Sequence, residues 1–204
     1  MKKLSIAAFV LALACVIPAW AEGETVTAEV AQAEVQIVPR YLLMNYRGQA
    51  VTNEDFYGSF QLITFGYTFC PDVCPTTLAR MSSVMEKLGK QADRLQPLFI
   101  TVDPERDTPE VLHRYTAFFH PRIVGLTGSQ ELVRRTAENF KIKYEKHLDS
   151  GAAAGRYSVD HSAGTYLLGP DGRFLVKFAY GTPAEDISER IRKLMDDYRE
   201  RPAK

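Results

Sequence analysis

The sequence predicts an α/β fold in which a mixed sheet carries helices on both faces. Two nearly continuous apolar runs, residues 60–67 and 95–102, have the composition of strands that are buried on both sides. Each run is followed by a stretch in which apolar residues recur at helical spacing, and a β-hairpin pattern follows later in the chain. Strands that alternate with helices indicate a sheet that is partly parallel.

Composition describes a globular domain with a core. The chain has 204 residues, of which 46% are apolar and 25% are charged. Its 25 basic and 25 acidic residues give a formal charge of zero, so nothing in the charge balance favours a nucleic-acid partner. No nucleic acid is therefore expected among the partners.

The first residues have the features of a secretory signal peptide. Two lysines precede an apolar run over residues 4–17, and small residues lead to a cleavage position after Ala21. The run is shorter than the ~20 residues that span a bilayer, so we predict that residues 1–21 are removed and that the protein resides in the periplasm. Cys15 ends a segment similar to a lipoprotein cleavage box, and the alternative is a membrane-anchored protein that faces the periplasm.

The remaining elements follow in order between an arm, residues 22–37, and a tail, residues 200–204. Residues 38–199 are predicted to form one domain that begins with an extra N-terminal hairpin over residues 40–51. After the hairpin we predict strand 60–67, helix 75–90, strand 95–102, helix 108–119, strand 123–126, helix 130–140, hairpin strands 165–168 and 174–180, and helix 186–198. This order is typical of a thioredoxin-like fold.

Two cysteines lie where the first buried strand ends and the next helix begins. Cys70 and Cys74 have three residues between them, which on a helical backbone places their Cβ atoms ~5–6 Å apart. Pro75 suits the first helical position, so Cys74 is predicted at the cap, where unpaired N–H groups lower the pKa of a thiol. The spacing is wider than that of thioredoxin-type redox pairs, so metal binding and disulfide exchange are both open.

A metal site at these cysteines would need a third ligand, and the chain has four histidines. His113 is predicted on an exposed helix face, His120 as a cation that caps a helix end, and His147 as a solvated group in a flexible loop. His161, at the start of the predicted hairpin strand, fits either a hydrogen-bonded histidine or a ligand. Two thiolates and one imidazole favour copper, especially Cu(I), and zinc is the competing metal.

Four motifs carry a resemblance to a known family. In order they are FCPDVCP at residues 69–75, VDPERDTP at 102–109, VGLTG at 124–128, and DHS at 160–162 followed by YLLGPDG at 166–172. They resemble the Sco (SenC) family of copper chaperones over roughly residues 38–199. The resemblance implies a thioredoxin-like fold that binds one copper ion, Cu(I) or Cu(II), through Cys70, Cys74 and His161.

The resemblance also implies partners and a role. The role is to build the CuA centre, or a related copper site, of a respiratory oxidase, with an oxidase subunit as acceptor and an upstream copper donor. We expect a monomer.

Asp160 and Asp72 are candidates for contacts around the ligands, with solvated loop acids as the alternative. The acidic and basic residues between 103 and 107 are predicted to form an internal network that fixes their loop, and the Gly- and Ala-rich segment 145–159 departs from the family pattern.

Three functions are compatible with these residues. The first is a copper-delivering metallochaperone, and the second is a thiol-disulfide oxidoreductase that reduces the cysteines of an oxidase subunit before metallation. The third is a peroxidase-like enzyme, since Cys70 follows a strand as a peroxide-reducing thiol does. The first two can both hold, because copper transfer to cysteine ligands requires reduced cysteines. The peroxidase-like enzyme is the weakest of the three, and beyond thiol-disulfide reduction the protein is not expected to be a turnover enzyme.

Overall fold

A computed structural model of the chain describes residues 37–148 and 157–199. The predicted signal peptide, nearly all of the predicted arm, the predicted tail and the flexible loop predicted at 149–155 lie outside these ranges and stay predictions. Within the described ranges, no helix combines the length and the apolar character needed to cross a membrane.

Nine strands and four helices make up the described part of the chain. In chain order they are β1 (Leu42–Met44), β2 (Ala50–Thr52), β3 (Phe60–Gly66), α1 (Val73–Leu88), β4 (Leu95–Thr101), α2 (Pro109–Phe119), β5 (Val124–Leu126), α3 (Gln130–Asn139), β6 (Tyr144–Leu148), β7 (Tyr157–His161), β8 (Thr165–Leu168), β9 (Phe174–Phe178) and α4 (Ala184–Arg199). Two short 3-10 helices, Asn53–Phe56 and Gly89–Arg94, precede β3 and β4.

A five-stranded mixed sheet forms the centre of the fold, with its strands in the order β5-β4-β3-β8-β9. The first three strands run parallel, whereas β8 pairs antiparallel with β3 and with β9. All seven residues of β3 are buried, so both faces of the sheet are covered at its centre. This arrangement confirms the predicted mixed sheet and thioredoxin-like fold.

The helices follow the predicted apolar spacing, and two of them start at a capping side chain. The hydroxyl of Thr108 accepts a hydrogen bond from the backbone N–H of Val111, and Pro109 occupies the first turn of α2. Ser129 caps α3 in the same way. Helices α1 and α4 pack against each other, α2 packs against β5, and α3 packs against β1 of the N-terminal hairpin.

The N-terminal hairpin is present where it was predicted. Strands β1 and β2 pair antiparallel, with Leu43 opposite Val51, and both of these side chains are buried. Gly48 in the connecting turn has φ of 72°, a left-handed conformation that glycine adopts without steric cost. The hairpin therefore adds its own apolar residues to the core that lies beneath α3.

A further two-stranded sheet, formed by β6 and β7, was not predicted. The strands pair antiparallel, with Tyr144 opposite His161 and Leu148 opposite Tyr157. The assignment of His147 to a flexible loop is therefore wrong, and His161 ends a strand instead of beginning one. Four of the five residues of β6 are exposed, so no apolar alternation marks this strand in the sequence.

Two histidines lie away from the cysteines. His113 is exposed, as predicted, and stacks on Tyr46 with 4.1 Å between the ring centroids. His120 follows the end of α2, where its Nδ1 accepts a hydrogen bond from the backbone N–H of Arg122. His120 is the C-cap residue of α2, as predicted. An Nδ1 that accepts a hydrogen bond carries no proton, and burial and the Arg122 charge lower the pKa of His120, so the cap is not the predicted cation.

Candidate metal centre

Cys70, Cys74 and His161 converge at one edge of the central sheet. The two cysteines lie in the connection from β3 to α1, and the histidine is the last residue of β7. The ligand-capable atoms of the three side chains all lie within 4.8 Å of one another. The structure therefore brings together, from positions far apart in the chain, a group of two sulfurs and one imidazole that could hold one metal ion.

The imidazole of His161 is oriented by its own backbone neighbourhood. Its Nδ1 lies 3.2 Å from the carbonyl oxygen of Ser162, and a carbonyl oxygen only accepts, so Nδ1 carries the proton. The other nitrogen, Nε2, is then unprotonated and lies 3.5 Å from the Sγ of Cys74. A backbone carbonyl that fixes the tautomer of a histidine is the usual arrangement around metal-binding imidazoles.

Helix α1 begins earlier than predicted, which moves Cys74 into its first turn. Asp72 is the N-cap and Val73 the first helical residue, so Cys74 is the second and Pro75 the third. Proline is tolerated there because N–H groups of the first turn have no partner within the helix. Cys74 is 2% exposed, whereas Cys70 lies in the loop and is partly exposed.

The two thiols differ in acidity, and in the opposite sense to the prediction. The S–H of Cys74 donates to the Cys70 sulfur, and the backbone N–H groups of Cys74 and Asp72 also donate to it, which lowers the pKa of Cys70 to about 5. The same hydrogen bond, together with burial, raises the pKa of Cys74. The predicted lowering of a thiol pKa at Cys74 is therefore wrong, because the hydrogen bonds to the Cys70 sulfur lower the pKa of Cys70 instead.

Gly66, the last residue of β3, leaves the space that the Cys74 sulfur occupies. A Cβ atom built on Gly66 would lie 2.6 Å from Cys74 Sγ and 2.8 Å from a ring carbon of Phe99. Gly66 was not among the predicted site residues. A glycine within an apolar strand is itself a signal, because it often marks a close approach of another group.

A buried carboxylate fixes the loop that carries the cysteines. Asp107 is fully buried, and it accepts hydrogen bonds from the backbone N–H and the hydroxyl of Thr68 and from the hydroxyl of Thr101. Burial raises the pKa of Asp107, and these hydrogen bonds oppose the rise. The carboxylate thus joins the start of the cysteine loop to the end of β4.

The two acids proposed around the ligands occupy different places. Asp72 contributes its backbone N–H to Cys70, while its carboxylate accepts from the hydroxyl of Thr76 at 3.4 Å. Asp160 precedes His161 on β7, so its side chain is on the opposite face of the strand. There it is 80% exposed and lies 3.4 Å from Nε2 of His147.

Comparison with known proteins identifies the family. The sequence model of the SCO1/SenC family matches residues 29–196. Among curated proteins, the mitochondrial SCO2 homolog of Mus musculus is 42% identical over 158 residues, which cover 75% of this chain and 60% of that protein. The chain therefore spans less than two thirds of the length of this mitochondrial relative.

Solved structures agree with this match. The copper-bound crystal structure of ScoI from Arabidopsis thaliana has a TM-score of 0.74 and 31% identity, over 79% of this chain and 99% of that one. A structure of BsSco, described through its disulfide switch and as a member of the Sco family of cytochrome c oxidase assembly proteins, has a TM-score of 0.60 and 25% identity, over 78% of this chain and 92% of that one. The chain belongs to the SCO1/SenC family.

Proposed function

We propose that this protein binds one copper ion through Cys70, Cys74 and His161 and delivers it to a copper site of a respiratory oxidase during assembly. The observation that carries the proposal is the convergence of two sulfurs and one imidazole nitrogen within 4.8 Å. Two thiolates and a neutral imidazole form a soft donor set with few ligands, which suits copper better than hard cations. Copper is the cargo, and the site need only hold it until an acceptor takes it.

The unequal exposure of the ligands gives the transfer a direction. Cys74 is buried, whereas Cys70 is partly exposed, so an incoming cysteine of the acceptor reaches the copper ion on the side of Cys70. His161 is also partly exposed. We infer that Cys74 is the last protein ligand to release the ion, because it is the one that an acceptor reaches least easily.

The ligand set is tested by replacing His161 with alanine. We expect the reduced His161→Ala protein to bind copper about 100-fold or more weakly, because the loss of a ligand exceeds the 10–100-fold cost of losing an outer contact. The copper spectrum should change with it. Competition titration of the reduced protein, with its metal count taken from intact mass, measures both effects. His113→Ala removes an exposed histidine remote from the cysteines and is the matched control; equal copper affinities in the two variants would contradict the three-ligand site.

A second candidate function, thiol-disulfide reduction of the acceptor, is supported by the proximity of the two thiols, whose sulfurs lie within 4.8 Å of each other. The Cys70 thiolate attacks one sulfur of the acceptor disulfide and forms a mixed disulfide, and the other acceptor sulfur leaves as a thiolate. Cys74 then attacks the Cys70 sulfur, which releases the second acceptor sulfur as a thiolate, and the proton of the Cys74 thiol passes to the solvent or to a released acceptor thiolate. The pair ends oxidised as a Cys70-Cys74 disulfide, and the acceptor gains two electrons.

Single-turnover kinetics test this second function. We expect the reduced protein to reduce one equivalent of an oxidised CuA-type oxidase domain, while Cys74→Ser stops at the mixed disulfide and Cys70→Ser does not react. Mass spectrometry of acid-quenched samples follows each species. Reduction by Cys70→Ser at the wild-type rate would exclude the assignment of Cys70 as the nucleophile.

We further propose that this acceptor is met in the periplasm, to which the predicted signal peptide would direct the chain.

A further inference from the structure

Arg106 lies in the loop after β4 and contacts the β7 strand that carries His161. Its Nε donates to the carboxylate of Asp103, and its Nη1 donates to the backbone carbonyl of Tyr157 at 2.9 Å. The guanidinium also lies over the ring of Tyr157, 3.7 Å from the centroid. One side chain therefore makes both a backbone and a ring contact with the first residue of β7.

The same residue of β7 contacts two further groups, Asp103 in the Arg106 loop and Lys146 in β6. The hydroxyl of Tyr157 donates to Asp103 at 2.8 Å. Lys146 of β6 lies 4.9 Å from the centroid of the same ring and forms an ion pair with Glu105 at 2.7 Å. Both strands of the β6/β7 hairpin are thus attached to the loop that follows β4.

Arg106 also contacts the segment that leads to Cys70. Its guanidinium lies 5.5 Å from the ring centroid of Tyr67 and 4.8 Å from that of Phe69. The hydroxyl of Tyr67 in turn accepts a hydrogen bond from the backbone N–H of Val159, 3.2 Å away, and its ring packs edge-on against His161. The guanidinium therefore lies between the cysteine loop and the histidine strand and touches both.

We propose that Arg106 is a positioning residue that holds the β6/β7 hairpin so that His161 stays within reach of Cys74. An isolated two-stranded hairpin is at best marginally stable in water, so its position depends on such tertiary contacts. The proposal rests on the function proposed above, in which His161 is a copper ligand. A ligand that is already in place lowers the ordering cost of binding.

The contacts of Arg106 do not serve only to stabilise the fold, because one of its N–H groups is left unpaired within the part of the chain that the structure describes. The Nη2 atom of Arg106 is buried and has no hydrogen-bond partner in the described ranges. An unpaired buried donor destabilises a fold, and an ion pair whose carboxylate is fully buried, as that of Asp103 is, is often no more stable than apolar residues of the same size. Arg106 therefore contributes little to the stability of the fold, and its contribution is to fix the position of the hairpin.

The first test needs no metal. In the reduced, metal-free protein we expect Arg106→Leu to speed hydrogen exchange of the Val159 amide about tenfold or more, with exchange in β3 and β4 unchanged. Arg94→Leu is the matched control, because Arg94 also lies over an aromatic ring, that of Phe60, and donates to a backbone carbonyl, that of Met195, far from the site. Unchanged exchange at Val159 in Arg106→Leu would overturn the proposal.

The second test asks whether Arg106 acts through His161. We expect Arg106→Leu to weaken copper binding about 10–100-fold, as loss of an outer contact does, and to cost nothing more when combined with His161→Ala. If the two losses instead add, Arg106 acts elsewhere and the proposal is wrong. Arg106→Lys keeps the charge and the pairing with Asp103. It lacks the second, rigidly placed N–H group with which the guanidinium donates to the Tyr157 carbonyl. It should bind copper with intermediate affinity, and it serves as the variant if Arg106→Leu does not fold.

The two proposals fail in different ways. If His161→Ala leaves copper affinity unchanged, the proposed three-ligand site is wrong, whereas the exchange of the Val159 amide still decides whether Arg106 holds the hairpin. If His161→Ala weakens binding and Arg106→Leu does not, the copper site stands and the positioning role of Arg106 is refuted.

Discussion

Replacing Gly66 with alanine is expected to weaken copper binding and to lower the stability of the fold together. The new methyl group would lie 2.6 Å from Cys74 Sγ and 2.8 Å from a ring carbon of Phe99, and both of those side chains are buried. Such overpacking costs ~1–3 kcal/mol of unfolding free energy. Relief by rotation of the Cys74 side chain would carry its sulfur away from Nε2 of His161, now 3.5 Å away. We expect copper affinity to fall about tenfold or more, comparable to the loss of an outer contact.

Gly125→Ala is the matched control for this substitution. Gly125 lies in β5 of the same sheet, and a Cβ built there would lie 2.9 Å from the Cβ of Leu112. The steric cost is of the same kind, and no sulfur is displaced. Urea unfolding should therefore show a loss of stability in both variants, whereas copper titration should show a loss of affinity in Gly66→Ala alone. If Gly66→Ala and Gly125→Ala bound copper with equal affinity, Gly66 would not set the position of Cys74.

Replacing Asp107 with leucine is expected to destabilise the protein by about 3 kcal/mol or more. The substitution leaves the half-buried N–H and hydroxyl of Thr68 and the buried hydroxyl of Thr101 without their acceptor. An unsatisfied donor costs ~1–3 kcal/mol when it is buried. Asp107→Asn retains the size of the side chain and one carbonyl acceptor, so its loss should be smaller. Urea unfolding of the three proteins at one pH measures the difference, and equal stability of the leucine and wild-type proteins would contradict the role of this carboxylate.

The pH dependence of this stability has a definite sign. Burial raises the pKa of Asp107 in the folded state, so folding favours its protonated form. Its contribution to stability is therefore fully present below the pKa of the unfolded chain, ~3.9, and is lost as the pH rises through the raised folded value. We expect the stability of the wild type relative to Asp107→Asn to decline over that window, because the variant lacks this titration. A difference that grows as the pH rises would show that the carboxylate is stabilised when ionised.

The central elements were predictable because their patterns are strong and local. Strand β3 is a continuous apolar run that the sheet buries on both faces, and the start of α2 combines a capping threonine, Thr108, with a proline in the first turn. The β6/β7 hairpin was not predictable on these grounds. Its strand β6 is mostly exposed and carries charged residues, and its placement depends on contacts with Arg106 and Tyr67, distant along the chain.

The three residues of the candidate site were predictable from the sequence, but the order of the two thiol pKa values was not. The spacing of Cys70 and Cys74 indicated a pair that could bind metal or exchange disulfides, and the family resemblance supplied His161. The order of the two thiol pKa values was predicted the wrong way round. Helix position alone favours a lowered pKa at Cys74, but burial and the hydrogen bond between the sulfurs raise the pKa of Cys74 and lower that of Cys70.

The sequence by itself determined the fold class, the family and the three residues with the chemistry to hold copper. These properties follow from the types of residues and their spacing along the chain, which can be taken directly from the sequence. Only the tertiary structure decided which cysteine ionises first, why β3 must end in Gly66, and how Arg106 joins the cysteine loop to the strand of His161. Each of these depends on burial or on atoms brought within a few ångströms from distant parts of the chain, and neither quantity is written in any local pattern.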